Sequence, residues 1–435
     1  MRKLFAKLSV AAFVLALAAM PLAASAGTTD LQAASEDGVL VWKSADDAFK
    51  WWIDARAYID MATYFDDGPL YYSEDDFADP DDWADYEDEF ADWFERQNSL
   101  AGGVMLRRLR FAVKANLWTD WYSEIDLDFA EEGAAVKDAY ISYNGLFSGN
   151  GRIRVGNFRQ PFGLEEVTTS RNLMFLERSQ GTDPFVIGRR LGLEVTKWAP
   201  KFRWSVSAFG GDVEEYVKYA NEQVNFAARV NVTPIMDDES VLMIGGAATL
   251  RKPTFVGDDV KFNTRPETNV SDTKFLYAKY KDVDNFNVFG GELAYVNKRF
   301  MLQGEYMAAK VRFLDEDPDA SIGGGYVFAS FFLTDDTHKY DYRDAEFARV
   351  VPSSKSGAWE VAARYSTADL NDEENGEMGG KSDAITLGLS YYANANIKVM
   401  LNYGIVNNDE NATGRGDYQG DYDFNYLSMR FLTAF

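Results

Sequence analysis

The sequence predicts an all-β protein, a sixteen-stranded antiparallel transmembrane β-barrel with one long loop folded back into the lumen. Three observations carry that prediction. Apolar and polar residues alternate with period two in nearly every extended segment, as they do when one face of each strand meets lipid and the other water. Short connections alternate along the chain with long ones. The composition is acidic and aromatic, with a formal charge of −25, 24 Tyr, 31 Phe and no Cys. A soluble sandwich could show an alternating face in some strands, but would not usually show it in nearly every strand of a chain this long.

The elements follow in order. Arg2, Lys3 and Lys7 precede an apolar run from Leu8 to Leu22, then Ala24-Ser25-Ala26. A positive head, a short apolar middle and a small-x-small site read as a secretory signal peptide spanning residues 1–26. The barrel then occupies 27–435. Removal of the leader leaves 41 basic against 69 acidic residues, a net charge of −28. Such acidity excludes nucleic acid as a partner, because phosphate backbones are held by basic patches. The absence of Cys excludes a disulfide scaffold and thiolate metal sites, and no cofactor is indicated.

Strands are expected near 49–64, 107–118, 121–130, 136–144, 151–157, 190–198, 201–210 and 223–233. The second half adds 240–250, 286–297, 300–311, 325–334, 358–367, 383–393, 396–406 and 425–435. On the second of these, Leu109, Phe111 and Val113 alternate with Arg108, Arg110 and Lys114. On the next, Ile125 and Leu127 alternate with Glu124, Asp126 and Asp128. Basic and acidic residues of neighbouring strands thus share one side, and a charge ladder across the hairpin follows. Phe275 to Tyr280 also reads as a strand, but including it would break the even parity of single-chain bacterial barrels. Asp335 to Gly357 is anomalous, a long connection where the count requires a short periplasmic turn. The last strand ends on Phe435, which resembles the C-terminal signal of outer-membrane barrel assembly.

Between Phe158 and Arg189 the alternation stops for about thirty residues, and a connection of that length inside a compact chain usually has a function. Arg159, Arg171, Arg178, Arg189 and Arg190 meet Glu165, Glu166, Glu177 and Asp183 there, which suits a constriction of 158–189 inside the lumen. Guanidinium groups are permanently charged and hold oxyanions through directed hydrogen bonds. Arg108, Arg110, Arg152, Arg154 and Arg190 share the inward parity. The nine arginines together are the candidate anion path, and Arg107 and Arg110 flank Arg108 on one wall. The alternative is that these arginines only neutralise nearby carboxylates, giving a weakly selective or cation-preferring pore. A helix over 164–179 would bring Arg171 and Arg178 to nearly one side.

The run VGNFRQPFGLEEVTTSRNLMFLERS at 155–179 resembles the signature of the phosphate-selective porin O and P family of Gram-negative outer membranes. RRLRFAVKANL, DAYISY, NTRPE, GGELAYV, QGEYM and GAWEVAARYS are similar in the same order, from about residue 105 to the C-terminus. The resemblance implies an outer-membrane location, a homotrimer, and passive passage of small hydrophilic solutes, anions such as phosphate among them. Residues 151–190 contain no Lys, so the lysine-rich character associated with tight phosphate selectivity is missing.

Between Asp66 and Trp93 lie thirteen Asp or Glu and no basic residue. This acidic extracellular loop (66–93) reads as a solvated segment that meets lipopolysaccharide and outer-membrane lipid through bound cations, or as a lip over the pore mouth that gathers divalent cations or substrate. No family role transfers to it. Enzymatic function has little support. His338 is the single histidine and lies in a polar connection, where a histidine is expected to be solvated rather than catalytic, and no nucleophile elbow, phosphate loop or zinc pair is present. A non-conducting surface or structural barrel is the remaining alternative.

Overall fold

A computed structural model describes residues 31–36, 39–66, 100–130, 133–211, 213, 223–253, 258–315 and 317–435. The expected signal peptide and all of the acidic loop but Asp66 lie outside the described residues. The described chain begins with a hairpin of β1 (Leu31–Glu36) and β2 (Val39–Ser44), whose second strand adds to the start of β3. The barrel proper opens with β3 (Phe49–Asp66), β4 (Gly103–Leu117), β5 (Trp121–Asp128), β6 (Ala135–Gly145) and β7 (Gly151–Arg159). It continues with β8 (Arg189–Ala199), β9 (Phe202–Phe209), β10 (Asn225–Met236) and β11 (Ser240–Arg251). A hairpin of β12 (Val260–Thr264) and β13 (Leu276–Tyr280) follows, paired only with itself. The stretch Phe275 to Tyr280 therefore stays out of the wall, as parity requires.

The wall resumes with β14 (Val283–Asn297), β15 (Phe300–Phe313) and β16 (Ala320–Phe332). Two-residue strands β17 (Tyr340–Asp341) and β18 (Glu346–Phe347) interrupt it before β19 (Ala358–Asp372), β20 (Glu377–Tyr392), β21 (Ile397–Asn408) and β22 (Phe424–Ala434). Neighbours in the wall pair antiparallel throughout. The last strand pairs with β3 from Phe424↔Asp66 to Ala434↔Arg56, which closes sixteen strands into a cylinder. Closure leaves no open edge, the condition for a sheet to cross a bilayer.

Burial is inverted relative to a water-soluble protein. On β4, Leu109, Phe111 and Val113 are 40%, 44% and 42% exposed, whereas Arg108 and Arg110 between and beside them are 8% and 3% exposed. Arg229, Arg364 and Arg430 are among the largest fully buried side chains. An apolar exterior with a charged interior is stable only where lipid replaces water outside.

The short connections gather at one end, at 118–120, 146–150, 200–201, 237–239, 298–299 and 393–396. That end is the periplasmic one by the asymmetry of bacterial barrels. The anomalous connection 333–357 starts and ends there too. It is long because it turns up into the barrel, so the strand count stands.

Candidate pore lining

The connection between β7 and β8 crosses the lumen and is tied to the wall on several sides. Glu305 of β15 accepts the backbone N–H groups of Leu164 and Glu165 at 2.5 and 2.8 Å. Arg364 of β19 reaches the Glu165 carboxylate at 3.2 Å and the Glu177 carbonyl at 3.1 Å. Arg430 of β22 holds Glu177 at 2.5 Å and also donates to the Leu176 carbonyl. Lys398 of β21 donates to the Leu173 carbonyl at 2.8 Å. On β3, the strand next to β22, Asp54 meets Arg171 at 3.2 Å, and the hydroxyls of Tyr58 and Ser170 lie 3.2 Å apart. Leu164, Met174 and Phe175 pack with Phe328 of the β16 wall and Phe347 of the 333–357 connection.

The expected helix over 164–179 is reduced to one turn at Leu164–Val167 and a 3-10 turn at Ser170–Asn172. Arg178 explains the break. It donates to the carbonyls of Glu165, Glu166 and Thr168 at 2.9, 3.0 and 3.1 Å, acceptors that a continuing helix would have used. The β-branched pair Thr168-Thr169 stands extended. Arg171 and Arg178 consequently do different things, one facing the cavity and the other bracing the loop.

A second segment enters from the periplasmic end. Arg203 donates to the Arg343 carbonyl at 2.9 Å, Arg229 to the Ala345 carbonyl at 3.0 Å, and Arg152 to the Asp344 carboxylate at 2.7 Å. Glu346 accepts the Thr169 N–H at 3.1 Å, joining this insert to the constriction loop. His338, expected to be solvated, is 6% exposed, and its Nε2 lies 2.6 Å from Glu360 of β19. The aromatic neighbours Phe332 and Phe347 keep water from it.

The two segments and an apolar cluster under the β12–β13 hairpin fill the side of the barrel formed by β10 to β22. Open space remains along β3 to β9 as a cavity of about 630 Å³. Nine Arg or Lys and seven Asp or Glu line it, an excess of two positive charges. Many of these charges are cross-linked. Lys114 bridges Asp54 and Glu124 at 3.0 and 3.1 Å, and Arg189 meets Asp138 at 2.6 Å. Arg152 and Arg154 share Glu194 at 3.5 and 3.0 Å. Arg154 also lies over the Phe158 and Tyr140 rings, 4.0 and 5.1 Å from their centres, within reach of cation–π attraction.

The loop carboxyls divide by their partners. Burial would raise Glu177, but Arg107 and Arg430 hold it well below the ordinary carboxylate range. Burial likewise opposes ionisation of Glu166, and Arg178 and Arg159 reverse it. Glu165 ends raised, because burial outweighs Arg364. Glu346 is pushed up to about 7 by burial and by Asp344, with Arg159 in partial opposition. Glu124, Asp126 and Asp138 bring carboxylate atoms within 4.8 Å of one another, a spacing a metal ion could use. Lys114, Arg110 and Arg189 already compensate them.

A buried, ion-paired lumen crossed by a charged loop is porin architecture. The sequence profile of the family described as phosphate-selective porin O and P matches residues 82–435. The chain belongs to that family. It is an outer-membrane porin. Porin O of Pseudomonas aeruginosa is 24% identical over 376 residues, covering 78% of this chain and 84% of that one. Among solved structures, an anion-selective porin from Comamonas acidovorans superposes with a TM-score of 0.51 at 10% identity, over 89% of this porin and all of that chain. The outer-membrane channel DcaP of Acinetobacter baumannii gives 0.51 at 11% identity, over 90% of this porin and 99% of that chain.

Of the nine arginines named from the sequence, Arg152, Arg154, Arg159, Arg171 and Arg189 line the porin's cavity. Arg110 sits beside Asp126 and Asp128 at 3.4 and 3.0 Å, Arg108 is buried beside Tyr58, and Arg178 braces the loop. Arg190 donates to the Arg189 carbonyl at 2.6 Å. Arg107 has outward parity in the sequence, yet it binds Glu177 at 2.8 Å inside the lumen. A β-bulge explains the reversal, since Tyr58 pairs with Arg108 and Ile59 with Leu106, leaving Arg107 as the extra residue. Arg56, Lys114, Arg203 and the insert residues Arg343, Asp344 and Glu346 belong to the lining and were not named as candidates. Arg56 shares its parity with Asp54, Tyr58 and Asp60, a signal that was open to reading. The insert left only its unexplained length.

Proposed function

We propose that this porin is a passive diffusion channel for small hydrophilic anions, with inorganic phosphate in the size range it admits. The observation that carries the reading is the lining of the open cavity, where cations outnumber carboxylates although the whole chain is strongly acidic. Cations in series along a narrow water-filled path lower the barrier for an entering anion, and cross-linking to carboxylates keeps each stop weak enough to leave. The family description and the name of the Comamonas protein agree with this reading. Arg152, Arg154, Arg159, Arg171 and Arg189 would carry the passage. Arg108, Arg110, Arg178 and Arg190 would shape the field and the loop around it. No catalytic role is assigned to any side chain.

Reversal potential in a potassium chloride gradient across a planar bilayer tests it. The wild type should be anion-selective, and Arg154→Ala with Arg171→Ala should move the reversal potential toward the cation side. A cation-selective wild type would discard anion passage and leave the barrel. The porin is further proposed to assemble as a homotrimer; OmpT of Vibrio cholerae, a protein of similar fold, is described in a trimer form. Its mass in detergent by light scattering decides this, a monomer being the adverse result.

A further inference from the structure

Around the periplasmic half of the cavity, three guanidiniums stand on the wall, Arg152 and Arg154 on β7 and Arg203 on β9. Two carboxylates answer them. One is Glu194 of β8, 1% exposed and shared by Arg152 and Arg154. The other comes from the insert: Asp344 Oδ1 lies 2.7 Å from Arg152 Nη1, and its side chain keeps 42% of its accessibility, open to the cavity. The residues on either side of Asp344 are held by their carbonyls, Arg343 by Arg203 and Ala345 by Arg229. Ala345 has φ +52°, a left-handed conformation that an L residue adopts at a cost. Donors outnumber acceptors here among the described residues, because Arg203 Nη1 and Arg154 Nε are buried without a hydrogen-bond partner and Arg152 Nε reaches Glu194 only at ion-pair distance, 3.5 Å.

We propose that Asp344 is a tethered competitor, a carboxylate of the chain lodged in an oxyanion site made by Arg152, Arg154 and Arg203, which a solute oxyanion must displace to bind there. A carboxylate and a phosphate present similar oxygens to a guanidinium fork, so each can replace the other. Burial alone would raise the Asp344 carboxyl, but Arg152 and Arg203 bring it down to about 2, and it therefore stays ionised at neutral pH. The consequence is a site that binds weakly by construction, which suits a channel whose solute has to leave again. The proposal rests on the anion-channel reading above and specifies how affinity inside that channel is held down.

The test is calorimetric binding of inorganic phosphate to the purified porin in detergent at low salt, for wild type, Asp344→Asn and Asp344→Asn with Arg152→Ala. If Asp344 occupies the site about nine-tenths of the time, its neutralisation tightens phosphate binding about ten-fold. Adding Arg152→Ala should remove that gain. Equal affinity in wild type and Asp344→Asn overturns the proposal, as does a gain that survives Arg152→Ala. An Asp344→Asn protein that no longer gives a heat-modifiable barrel on a gel also overturns it, because the contact would then be a structural necessity. Conductance is measured separately on the same preparations. A wild type that binds as stated but passes no current refutes the channel reading alone, and one that conducts without the affinity gain refutes this proposal alone.

Discussion

At Gly181 the constriction loop runs close against the backbone of β16 and β19, and a single methyl group there should move it. A Cβ placed on Gly324 of β16 would lie 2.3 Å from the Gly181 carbonyl oxygen of the loop and 2.7 Å from that of Thr367. Carbon and oxygen come into contact at about 3.3 Å, so Gly324→Ala requires the loop to retreat by about 1 Å. The Gln180 N–H bond to Glu267 is already 3.3 Å long and would break, while the tie from Gln180 Nε2 to Ser382 at 3.0 Å would stretch. Overpacking of this kind costs about 1–3 kcal/mol. The Gly181 carbonyl belongs to the loop and the Thr367 carbonyl to β19, so the loop must retreat and the β16–β19 pairing must also give at this point. The assay is single-channel recording in a planar bilayer. Gly324→Ala should change the unitary conductance and increase open-channel noise, whereas Gly291→Ala, where a Cβ meets nothing within 4 Å, should match the wild type. Unaltered conductance and noise in Gly324→Ala would refute the reasoning that displacing the loop at this contact changes the passage.

Two further outcomes follow from the lining and its supports. Glu346 is ionised above its pKa of about 7 and neutral below it, so lowering the pH through that value adds one positive charge to the excess of two. Anion selectivity, read as reversal potential, should rise as pH falls across this window, and Glu346→Gln should hold the low-pH value at every pH. Arg229 and Glu292 are each 1% exposed and 2.8 Å apart. Among the described residues, Arg229→Met leaves Glu292 with the Asn231 amide at 3.2 Å and no cation bonded to it, a loss of about 3–5 kcal/mol. The heat-induced shift in gel mobility should come at a lower temperature, and Glu292→Gln in the same chain should restore part of it.

The wall was legible because a strand enforces parity. Arg110 opposite Asp128 and Lys114 opposite Glu124 follow from counting by twos along two neighbouring strands, and the structure pairs both across the hairpin. Parity failed at Arg107, where one extra residue reverses it without any mark in composition. In the loops parity has no meaning. Arg171 and Arg178 look alike in sequence, but one meets Asp54 across the lumen and the other is spent on carbonyl groups of its own loop. The insert was visible as an excess of length only. Its docking depends on Arg152, Arg203 and Arg229 from three strands distant in sequence, and no local pattern announces such a meeting. His338 was misjudged for the same reason, because its polar neighbours in the chain are not its neighbours in space.

The join between β22 and β3 unites the two ends of the wall, and the constriction loop straddles it. Glu177 and Leu176 grip Arg430 on one bank, while Ser170 and Arg171 reach Tyr58 and Asp54 on the other. The loop is thus a clasp as well as a filter. The last strand of the wall and the first are held side by side partly by a segment that lies between them in the sequence. The seating of the loop and the closure of the cylinder consequently share side chains, and a substitution at Glu177 or Arg430 is expected to disturb both.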